Sequence, residues 1–401
     1  MQHPHPEPDF HDREFLRRHA LWVMDFYKDR CVDASGGMFH FFLDDGRVYD
    51  RRTRHLVSAT RFVVTHAIAH ELGAGAEFKD RAEHALRFVE QGFRDLQSGG
   101  FDWLIRWEQG RATPLDRTRH MYGLAFVMLA AARAARIGIS GASALLGRTF
   151  ELAEQRFFDA VAGLYADDAA ADWQLSGYRG QNANMHACEA MIAAFEASGE
   201  ARYLERAELL AHKVTVELAA LAGGGVWEHY RADWSIDPDY NRDDRSNIFR
   251  PWGFQPGHFT EWAKLLCQLD RHLPRPWHLA RARELFDRAV ATAWDAENGG
   301  LFYGFAPDGS ICDDHKYHWV QAESLAAAAI LARRTGAAEY DAWYRRIWSY
   351  VWAHFVDHEQ GAWFRILTRE NFNLTREKSP AGKVDYHDIG ACYDVWREWE
   401  A

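Results

Sequence analysis

GGMFHFF at residues 36–42 and GGFDWLI at residues 99–105 are two copies of one pattern, in which a glycine turn is followed by aromatic and apolar residues. The pattern returns four more times, as GLYAD from Gly163, GGVWEHY from Gly224, GGLFYGF from Gly299 and GAWFRIL from Gly361. Successive copies are about 60 to 75 residues apart, and such a period is typical of a repeat architecture. The chain therefore contains six units.

The sequence between these turns has helical spacing. RFVVTHAIAHEL at residues 61–72 repeats its apolar residues at intervals of three and four, and FKDRAEHALRFVEQGF follows at 78–93. We predict that each unit is a short hairpin followed by two helices. The first helices should begin near residues 55, 118, 182, 257, 316 and 386, and the second near 77, 142, 201, 277 and 339, with residues 10–28 as the twelfth helix.

Helix pairs that cannot bury their apolar faces alone must stack on their neighbours. Six pairs whose ends meet predict an all-α fold, an (α/α)6 barrel of about twelve helices with short β-hairpins at one mouth, as one domain over residues 1–401. An open solenoid is the alternative. The fourth unit is longer than the others, and its Asp-rich and Asn-rich segment at 230–250 predicts a loop or lid over one end.

The composition limits the class of ligand. The net charge of -11 leaves no basic stripe that could neutralise phosphates, so nucleic acid and an anionic membrane are not expected as partners. No apolar run approaches a membrane span, and the N-terminus MQHPHPEPDFHDREF does not resemble a signal peptide. The five cysteines are scattered singly, without CxxC spacing. We expect a cytoplasmic protein with a small neutral or polar ligand, as a monomer or a homo-oligomer.

Polar side chains concentrate where the first helix of each unit begins. Unit by unit they are Arg61; Arg119, His120 and Tyr122; Asn184, His186 and Glu189; His258 and Glu261; Lys316, Trp319, Gln321 and Glu323; His387 and Asp388. In a closed barrel these positions converge on one pocket. NMHACE and GHFTE place a glutamate three residues after a histidine, on the same helical face, where the carboxylate can fix the imidazole tautomer or accept a sugar hydroxyl.

Three other classes of site are compatible with parts of this set. A metal centre would need more than His-x-x-Glu, which reverses the Glu-x-x-His order of di-iron bundles, so we expect neither a metal nor another cofactor. An inverting glycoside hydrolase would use two of Glu189, Glu261 and Glu323 as acid and base, about 6.5–9.5 Å apart. A sugar-binding protein without catalysis would need aromatic residues and hydrogen-bonding groups, but no arranged set of histidines.

Two further residue types suggest a sugar ligand. Trp252 and Trp319 are the tryptophans beside the polar set, where an indole could stack on a sugar ring. Arg61 is set in an apolar helix, and a buried guanidinium is either paired with an acid or aimed at a ligand.

Six stretches carry a resemblance to a known family. They are HLVSATRF (55–62), GQNANMHACEA (180–190), VWEHY (226–230), FRPWGFQPGHFTEWAKLL (249–266), HKYHWVQAES (315–324) and DYHDIGACYD (385–394). In them the chain resembles the N-acylglucosamine 2-epimerase superfamily, in particular its branch of D-mannose and sulfoquinovose isomerases. The resemblance implies an (α/α)6 barrel, no metal requirement, and isomerisation of D-mannose and D-fructose through an enediolate, with D-lyxose and D-xylulose as a second pair. A sulfoquinovose isomerase or a sugar 2-epimerase is the alternative.

The same resemblance implies roles for individual residues. His258 and His387 would be the proton-transfer pair, and His186 would help in ring opening. Arg61 would bind the substrate oxygens, with Glu261 and Glu323 orienting histidines or hydroxyls. The remaining expected substrate contacts are Asn184, Trp319, Trp252, Tyr122 and Gln321.

Overall fold

The computed structural model describes residues 5–244 and 249–399. Within these ranges twelve long helices form the body of the protein: α1 Arg13–Tyr27, α2 Leu56–Glu71, α3 Ala76–Phe88, α4 Met121–Arg136, α5 Ala142–Arg156, α6 Gln181–Ser198, α7 Ala201–His212, α8 Pro256–His272, α9 Pro276–Ala293, α10 His318–Thr335, α11 Ala338–His354 and α12 Tyr386–Glu398. A π-helical turn, Val89–Phe93, continues α3, and Lys213–Leu218 with the helical turn Ala219–Leu221 continues α7. The predicted helix pairs are confirmed.

The helices form two concentric rings. The even-numbered helices make the inner ring, in which each packs on the next and α12 packs on α2. Each odd-numbered helix packs outside its partner, α3 on α2, α5 on α4, α7 on α6, α9 on α8, α11 on α10 and α1 on α12. Because the last inner helix contacts the first, the ring is closed. The (α/α)6 barrel is confirmed, and the open solenoid is wrong.

Apolar patterning explains which helices lie inside. In α2 every residue from Leu56 to Ala69 is buried, and α10 is buried without a break from Val320 to Leu331. In α3 only Phe78, Ala82, Ala85, Leu86 and Phe88 are buried, so one face is left for solvent. A helix that is apolar all round is stable only when other elements surround it, which places such helices in the inner ring.

Short antiparallel strands connect the helices. They are β1 Phe41–Leu43, β2 Val48–Asp50, β3 Thr53–His55, β4 Leu104–Glu108, β5 Arg111–Asp116, β6 Arg119–His120, β7 Phe158–Asp159, β8 Leu164–Tyr165, β9 Asp168–Ala169, β10 Arg179–Gly180, β11 His229–Tyr230, β12 Gly304–Phe305, β13 Ile311–Asp313, β14 Lys316–Tyr317, β15 Ile366–Leu367 and β16 Glu377–Ser379. They form two three-stranded sheets, β16-β1-β2 and β3-β4-β5, and five strand pairs.

Strand pairing surrounds one mouth of the barrel. The segment before each inner helix pairs with the hairpin of a neighbouring unit: β3 with β4, β6 with β9, β10 with β11, β14 with β15, and β16 with β1. The corresponding contact before α8 is a single bridge between Phe254 and Phe305. Since β16 lies near the C-terminus and β1 near the N-terminus, their pairing closes this circle. The N-terminal ends of all six inner helices face this mouth.

The Asp-rich segment of the fourth unit lies at the same mouth. Arg250 pairs with Asp168, and its guanidinium lies 3.8 Å from the ring centre of Tyr178. Asn241 Nδ2 donates to the carbonyl of Arg250 at 2.8 Å. Residues 245–248 of the predicted lid lie outside the described residues. In the part of the chain that is described, none of the helices has both the length and the apolarity that a membrane span requires.

Candidate active site

A cleft of about 750 Å³ opens at this mouth, between the N-termini of the inner helices. All six inner helices contribute to its lining, together with the loop 380–383 and with Phe249 and Pro251 from the end of the Asp-rich segment. Of the residues predicted from sequence, seven line it: Arg61, Tyr122, His186, His258, Glu261, Trp319 and His387. The barrel therefore brings together side chains that are more than three hundred residues apart in the chain.

The three predicted histidines are each held by a glutamate, of which Glu228 and Glu323 are buried and Glu189 is partly buried. The Nδ1 atoms contact carboxylate oxygens, His186 with Glu189 at 2.9 Å, His258 with Glu228 at 2.9 Å and His387 with Glu323 at 2.7 Å. A carboxylate on Nδ1 fixes the tautomer and the orientation of an imidazole, and it leaves Nε2 for a ligand. Three imidazoles are thus arranged as acid/base groups toward one cleft.

A second set of buried groups holds the glutamates. Lys264 Nζ lies 2.6 Å from Glu323 Oε2. Gln181 Nε2 donates to Glu228 Oε2 at 2.9 Å, and its Oε1 accepts from Trp262 Nε1 at 2.8 Å. The hydroxyl of Tyr386 donates to Glu189. Such partners restrict the carboxylates to one orientation, and therefore the imidazoles as well.

Burial sets the protonation of the pocket histidines. It lowers the pKa of His186, against the opposing effect of its hydrogen bond to Glu189. Burial and the charge of Arg61 lower the pKa of His387 well below its ordinary value. Burial alone would raise the pKa of Glu189, but the hydrogen bond from His186 and the charges around it lower that pKa to about 2. At neutral pH these two imidazoles are neutral and Glu189 is ionised.

Glu261 differs from the other carboxyl groups. Both of its oxygens are buried and accept no hydrogen bond from the described residues, and Oε1 lies 3.8 Å from His186 Nδ1. Burial and the neighbouring Glu323 raise its pKa well above the ordinary value. A protonated carboxyl group at the edge of the cleft can donate a hydrogen bond to a substrate oxygen.

Two groups of side chains have the geometry to hold a metal ion. They share Glu261 and consist of His186, Glu189 and Glu261, and of Glu261, Glu323 and His387. The ammonium of Lys264, on Glu323, places a positive charge beside the second group. The absence of a metal requirement stays a prediction.

Arg61 lies between two aromatic rings, with its guanidinium carbon 4.5 Å from the ring centre of Phe126 and 4.6 Å from that of Tyr386. Its Nη1 donates to the carbonyl of Gly382, and its Nη2 to the Tyr122 hydroxyl at 3.2 Å. None of the described carboxylates forms an ion pair with it. Its positive charge is therefore directed to the cleft and not neutralised by an acid.

Four predicted substrate contacts lie outside the cleft lining. Asn184 and Gln321 both clamp backbone: Asn184 Oδ1 accepts from the Tyr165 amide at 2.8 Å, and Gln321 Oε1 accepts from the Leu301 amide at 2.9 Å. Their amide nitrogens donate to the carbonyls of the same two residues. Because these hydrogen bonds occupy both side chains, each amide holds the hairpin of its own unit on its inner helix.

The other two predicted substrate contacts outside the cleft lining are Glu323 and Trp252. Glu323 lies behind His387 and contacts that ring, not the cleft. Trp252 lies in an adjoining cleft, where its Nε1 donates to the carbonyl of Pro238 at 2.7 Å and the guanidinium of Arg242 lies over its ring. One face of this indole is therefore already covered.

Arg119 and Lys316, two members of the polar set, are also structural. Both are buried, and each pairs with an aspartate of the preceding hairpin: Arg119 Nη2 lies 2.6 Å from Asp95, and Lys316 Nζ lies 2.9 Å from Asp295. Arg54 with Asp33 and Lys378 with Asp357 repeat the contact in other units. These cations fasten the segment before an inner helix to a hairpin.

The structure adds residues that the sequence analysis missed. Asn182, two positions before Asn184, lines the cleft, and its Oδ1 is buried without a partner among the described residues. His318, the first residue of α10, also lines the cleft and places Nδ1 2.7 Å from Asp388 Oδ1. The position of His318 at the start of an inner helix was a usable signal. Glu228 has no such position at the start of an inner helix, because it lies in a hairpin thirty residues before His258.

The fold and the cleft define a class, an α/α barrel whose cleft is lined by histidines held by carboxylates. Residues 37–391 match the model of the N-acylglucosamine 2-epimerase family. A protein named D-mannose isomerase from Marinomonas mediterranea is 49% identical over 97% of this chain and 98% of its own, and one of that name from Thermobifida fusca is 40% identical over 87% of each. A crystal structure of D-mannose isomerase superposes with a TM-score of 0.95 at 49% identity, covering 98% of this chain and 100% of the other.

The chain belongs to the N-acylglucosamine 2-epimerase family. Its similarity to isomerases covers the whole barrel and all the segments that form the cleft. It is an isomerase, as the sequence predicted.

Proposed function

We propose that this enzyme interconverts D-mannose and D-fructose, and D-lyxose and D-xylulose as a second pair, by histidine acid/base catalysis through a cis-enediolate. One observation carries the proposal: three imidazoles, each held through Nδ1 by a glutamate, face one cleft in a chain 49% identical to a protein named D-mannose isomerase. This arrangement can take a proton from one carbon and return it to the next.

In the proposed mechanism the sugar first opens, because only the free aldehyde acidifies the proton on C2. His186 assists the opening, and His258 and His387 remove the C2 proton and deliver a proton to C1. Arg61 and the protonated Glu261 stabilise the oxygens on which charge develops. Trp319, 5.1 Å from the ring of His258 and 5.8 Å from that of His387 between centres, bounds the space available to the sugar.

The charges of the cleft favour a neutral substrate. Arg365 and Lys383 line it, and each already has an acidic partner, Glu377 at 2.8 Å for Arg365 and Asp385 for Lys383. Arg61 is the cleft cation without an acidic partner among the described residues, and the mechanism assigns it to the oxygens at the reacting end of the sugar. A sulfonate or phosphate at the other end would therefore have to displace Glu377 or Asp385. The alternative, a sulfoquinovose isomerase, therefore needs a change in the cleft that D-mannose does not.

We further propose a monosaccharide as the substrate, no nucleic-acid or membrane partner, a monomer or a homo-oligomer, and a cytoplasmic location. None of the five cysteines, all of which lie among the described residues, forms a disulfide. This agrees with a reducing compartment.

The test is incubation of purified, EDTA-treated enzyme with D-mannose in D₂O, followed by NMR. We expect fructose that carries deuterium at the reacting carbon, without added metal. Turnover of sulfoquinovose but not mannose would favour the alternative isomerase, and conversion to glucose without fructose would favour an epimerase. Release of reducing sugar from oligosaccharides would indicate a glycoside hydrolase instead.

A further inference from the structure

The cleft contains a fourth carboxylate-held imidazole that the mechanism above does not use. His318 is 4% exposed, and its Nδ1 lies 2.7 Å from Asp388 Oδ1. Its ring centre is 6.4 Å from that of His387, which in turn is 6.4 Å from that of His186. His387 is thus the neighbour of both of these rings in the cleft.

The chemistry of an aldose–ketose isomerisation needs two proton transfers. The C2–H bond breaks and a C1–H bond forms, while the O2–H bond breaks and an O1–H bond forms. The C1–O double bond becomes single and the C2–O bond becomes double, so the reaction balances without an oxidant or reductant. His258 and His387 account for the carbon proton and His186 for ring opening. Arg61 and Glu261 stabilise the oxygens in that mechanism but are assigned no proton transfer between them, so the hydroxyl proton has no assigned carrier.

We propose that His318 carries the hydroxyl proton from O2 to O1 of the enediolate, with Asp388 as its positioning residue. This inference rests on the proposed function. The Nδ1–H of His318 donates to Asp388, so the lone pair of Nε2 accepts the proton from O2 and then returns it to O1. Burial, together with the charge of Lys383, lowers the pKa of His318 well below its ordinary value, which keeps the ring neutral and able to accept.

The surroundings hold this imidazole from two sides. The backbone amide of His318 donates to the carbonyl of Arg365 at 3.1 Å, which fixes the start of α10. Lys383 Nζ lies 3.8 Å from Asp388 Oδ2 and also donates to the carbonyl of Trp363 at 3.0 Å. Burial raises the pKa of Asp388, while the hydrogen bond with Asp385 and the positive charge of Lys383 oppose that rise and favour the ionised form, which is the form that accepts from Nδ1–H.

Two other groups of the cleft are less suited to this transfer. Arg61 does not release a proton in a protein. Burial raises the pKa of Tyr122, whose hydroxyl already accepts from Arg61. His318 differs from both, because it combines a neutral ring, a tautomer fixed by Asp388 and a second ring nitrogen that can accept a proton and release it again.

The experiment measures two rates with His318→Gln and His318→Phe enzymes in D₂O with D-mannose. One is the loss of C2–H from recovered mannose, and the other is fructose formation. Since a positioned acid/base group contributes about 10²–10⁴ in rate, fructose formation should fall by about that factor. Exchange at C2 should fall less, because the enediolate still forms and returns to mannose, so the ratio of exchange to isomerisation should rise at least about tenfold. Asp388→Asn should raise this ratio to a smaller extent.

The matched control is His278→Gln. His278 is also a fully buried imidazole on a carboxylate, with Nε2 2.6 Å from Glu208, but it lies in α9 outside the cleft. Its variant should keep the wild-type ratio. An unchanged ratio in both His318 variants would overturn the inference, whether both rates fall together or neither falls. If His318→Phe does not fold by near-UV circular dichroism, His318→Gln decides. A wild-type enzyme that makes no fructose would overturn the proposed function itself.

Discussion

His258 and His387 lie at the third and second positions of their inner helices, where the helix start directs both side chains into the cleft. Replacement of either by alanine removes a proton-transfer group and should lower kcat/KM by about 10²–10⁴ or more. The fold should be spared, because neither ring is part of the apolar core. Steady-state kinetics with D-mannose, together with a thermal melt, measures both effects.

The control for these variants is His272→Ala. His272 belongs to the same helix as His258 and also contacts a glutamate, Glu196 at 3.1 Å. It lies about 21 Å along α8 from His258, given a rise of about 1.5 Å per residue, at the far end of the barrel. We expect unchanged kcat. Near-wild-type activity in His258→Ala or His387→Ala would refute the acid/base assignment.

Sequence could identify the histidines but not their partners. His186, His258 and His387 stand at comparable places in repeated units, so position alone indicates convergence. The partner of His186 is three residues away on the same helical face. Glu228 reaches His258 from the hairpin of the same unit, thirty residues earlier, whereas Glu323 and Asp388 reach their histidines across units. A contact between units depends on the rotation of each helix about its axis, and spacing within one helix does not determine that rotation. Asn182 and Asn184 show the same limit, since a change of two positions decides which amide faces the cleft.

At the scale of elements, the contact between α8 and α10 depends on a glycine. A Cβ atom at Gly257 would lie 2.4 Å from the indole of Trp319, which packs against the backbone beside His258. Helix propensity favours alanine over glycine by about 1 kcal/mol, yet this clash should move the indole. We expect Gly257→Ala to raise KM for D-mannose and to lower thermal stability, as measured by kinetics and calorimetry.

Gly390 in α12 is the matched position. A Cβ atom there would meet nothing within 4 Å. Gly390→Ala should therefore follow propensity and stabilise the protein by up to about 1 kcal/mol, with unchanged kinetics. If both variants gain stability, Trp319 does not depend on the glycine.

The buried ion pairs that precede the inner helices should contribute more to the free energy of unfolding than surface ion pairs do. Lys316 and Asp295 are 0% and 2% exposed, and Lys316→Met leaves the aspartate buried without its cation. Breaking a buried pair by removing one partner costs about 3–5 kcal/mol. Arg87→Met removes a pair with Glu83 in which both side chains are about half exposed, and such pairs contribute about 0–1 kcal/mol. Urea denaturation compares the two variants, and equal costs would contradict a structural role for Lys316.

Most of the turns that precede the inner helices share an aspartate as well as the glycine. In five of the six glycine markers a glycine is preceded at a distance of four residues by an aspartate, as in Asp95 before Gly99 and Asp295 before Gly299, whereas Ala220 stands four residues before Gly224. In both turns the glycine amide donates to the aspartate carbonyl, and the glycine has φ of 76°. The same aspartates accept the buried cations. The glycine pattern can be recognised in the sequence. The aspartate is harder to recognise, because the chain has many other acidic residues.

At the scale of the whole molecule, the sequence predicts the number of units. It does not by itself decide whether these units close into a ring. A repeat of one hairpin and two helices is compatible with a ring or with an open solenoid, because both bury the same faces between neighbours. The ring depends on contacts between the two ends of the chain, α12 on α2 and β16 with β1. These contacts have no local signal. They also complete the cleft, since His387 comes from the last helix and Arg61 from the first inner one.

The buried histidines make the stability of the barrel depend on pH. Burial lowers the pKa of His19 and His55 to about 3 and of His66 and His120 to about 4, and lowers those of His40, His318 and His387 well below the ordinary value. The unfolded chain binds protons at these rings below about pH 6.5, and the folded chain does not. The contribution of these rings to stability is therefore lost as the pH drops. From pH 7 to 5.5 a ring that stays neutral in the folded chain costs on the order of 1 kcal/mol.

Three buried acids act in the opposite direction. Burial raises the pKa of Asp167 to about 8 and of Asp385 to about 6, and raises that of Glu261 well above its ordinary value. These groups hold protons that the unfolded chain releases, so acidification returns part of the loss.

A single variant isolates one ring. Between pH 7 and 5.5, urea denaturation should show a loss of stability that is smaller in His66→Gln than in the wild type by on the order of 1 kcal/mol. The control is His212→Gln, at a half-exposed ring beside Glu217, which should keep the wild-type difference. An equal difference in His66→Gln and the wild type would mean that the His66 ring is protonated in the folded barrel, against the lowered pKa that its burial gives it.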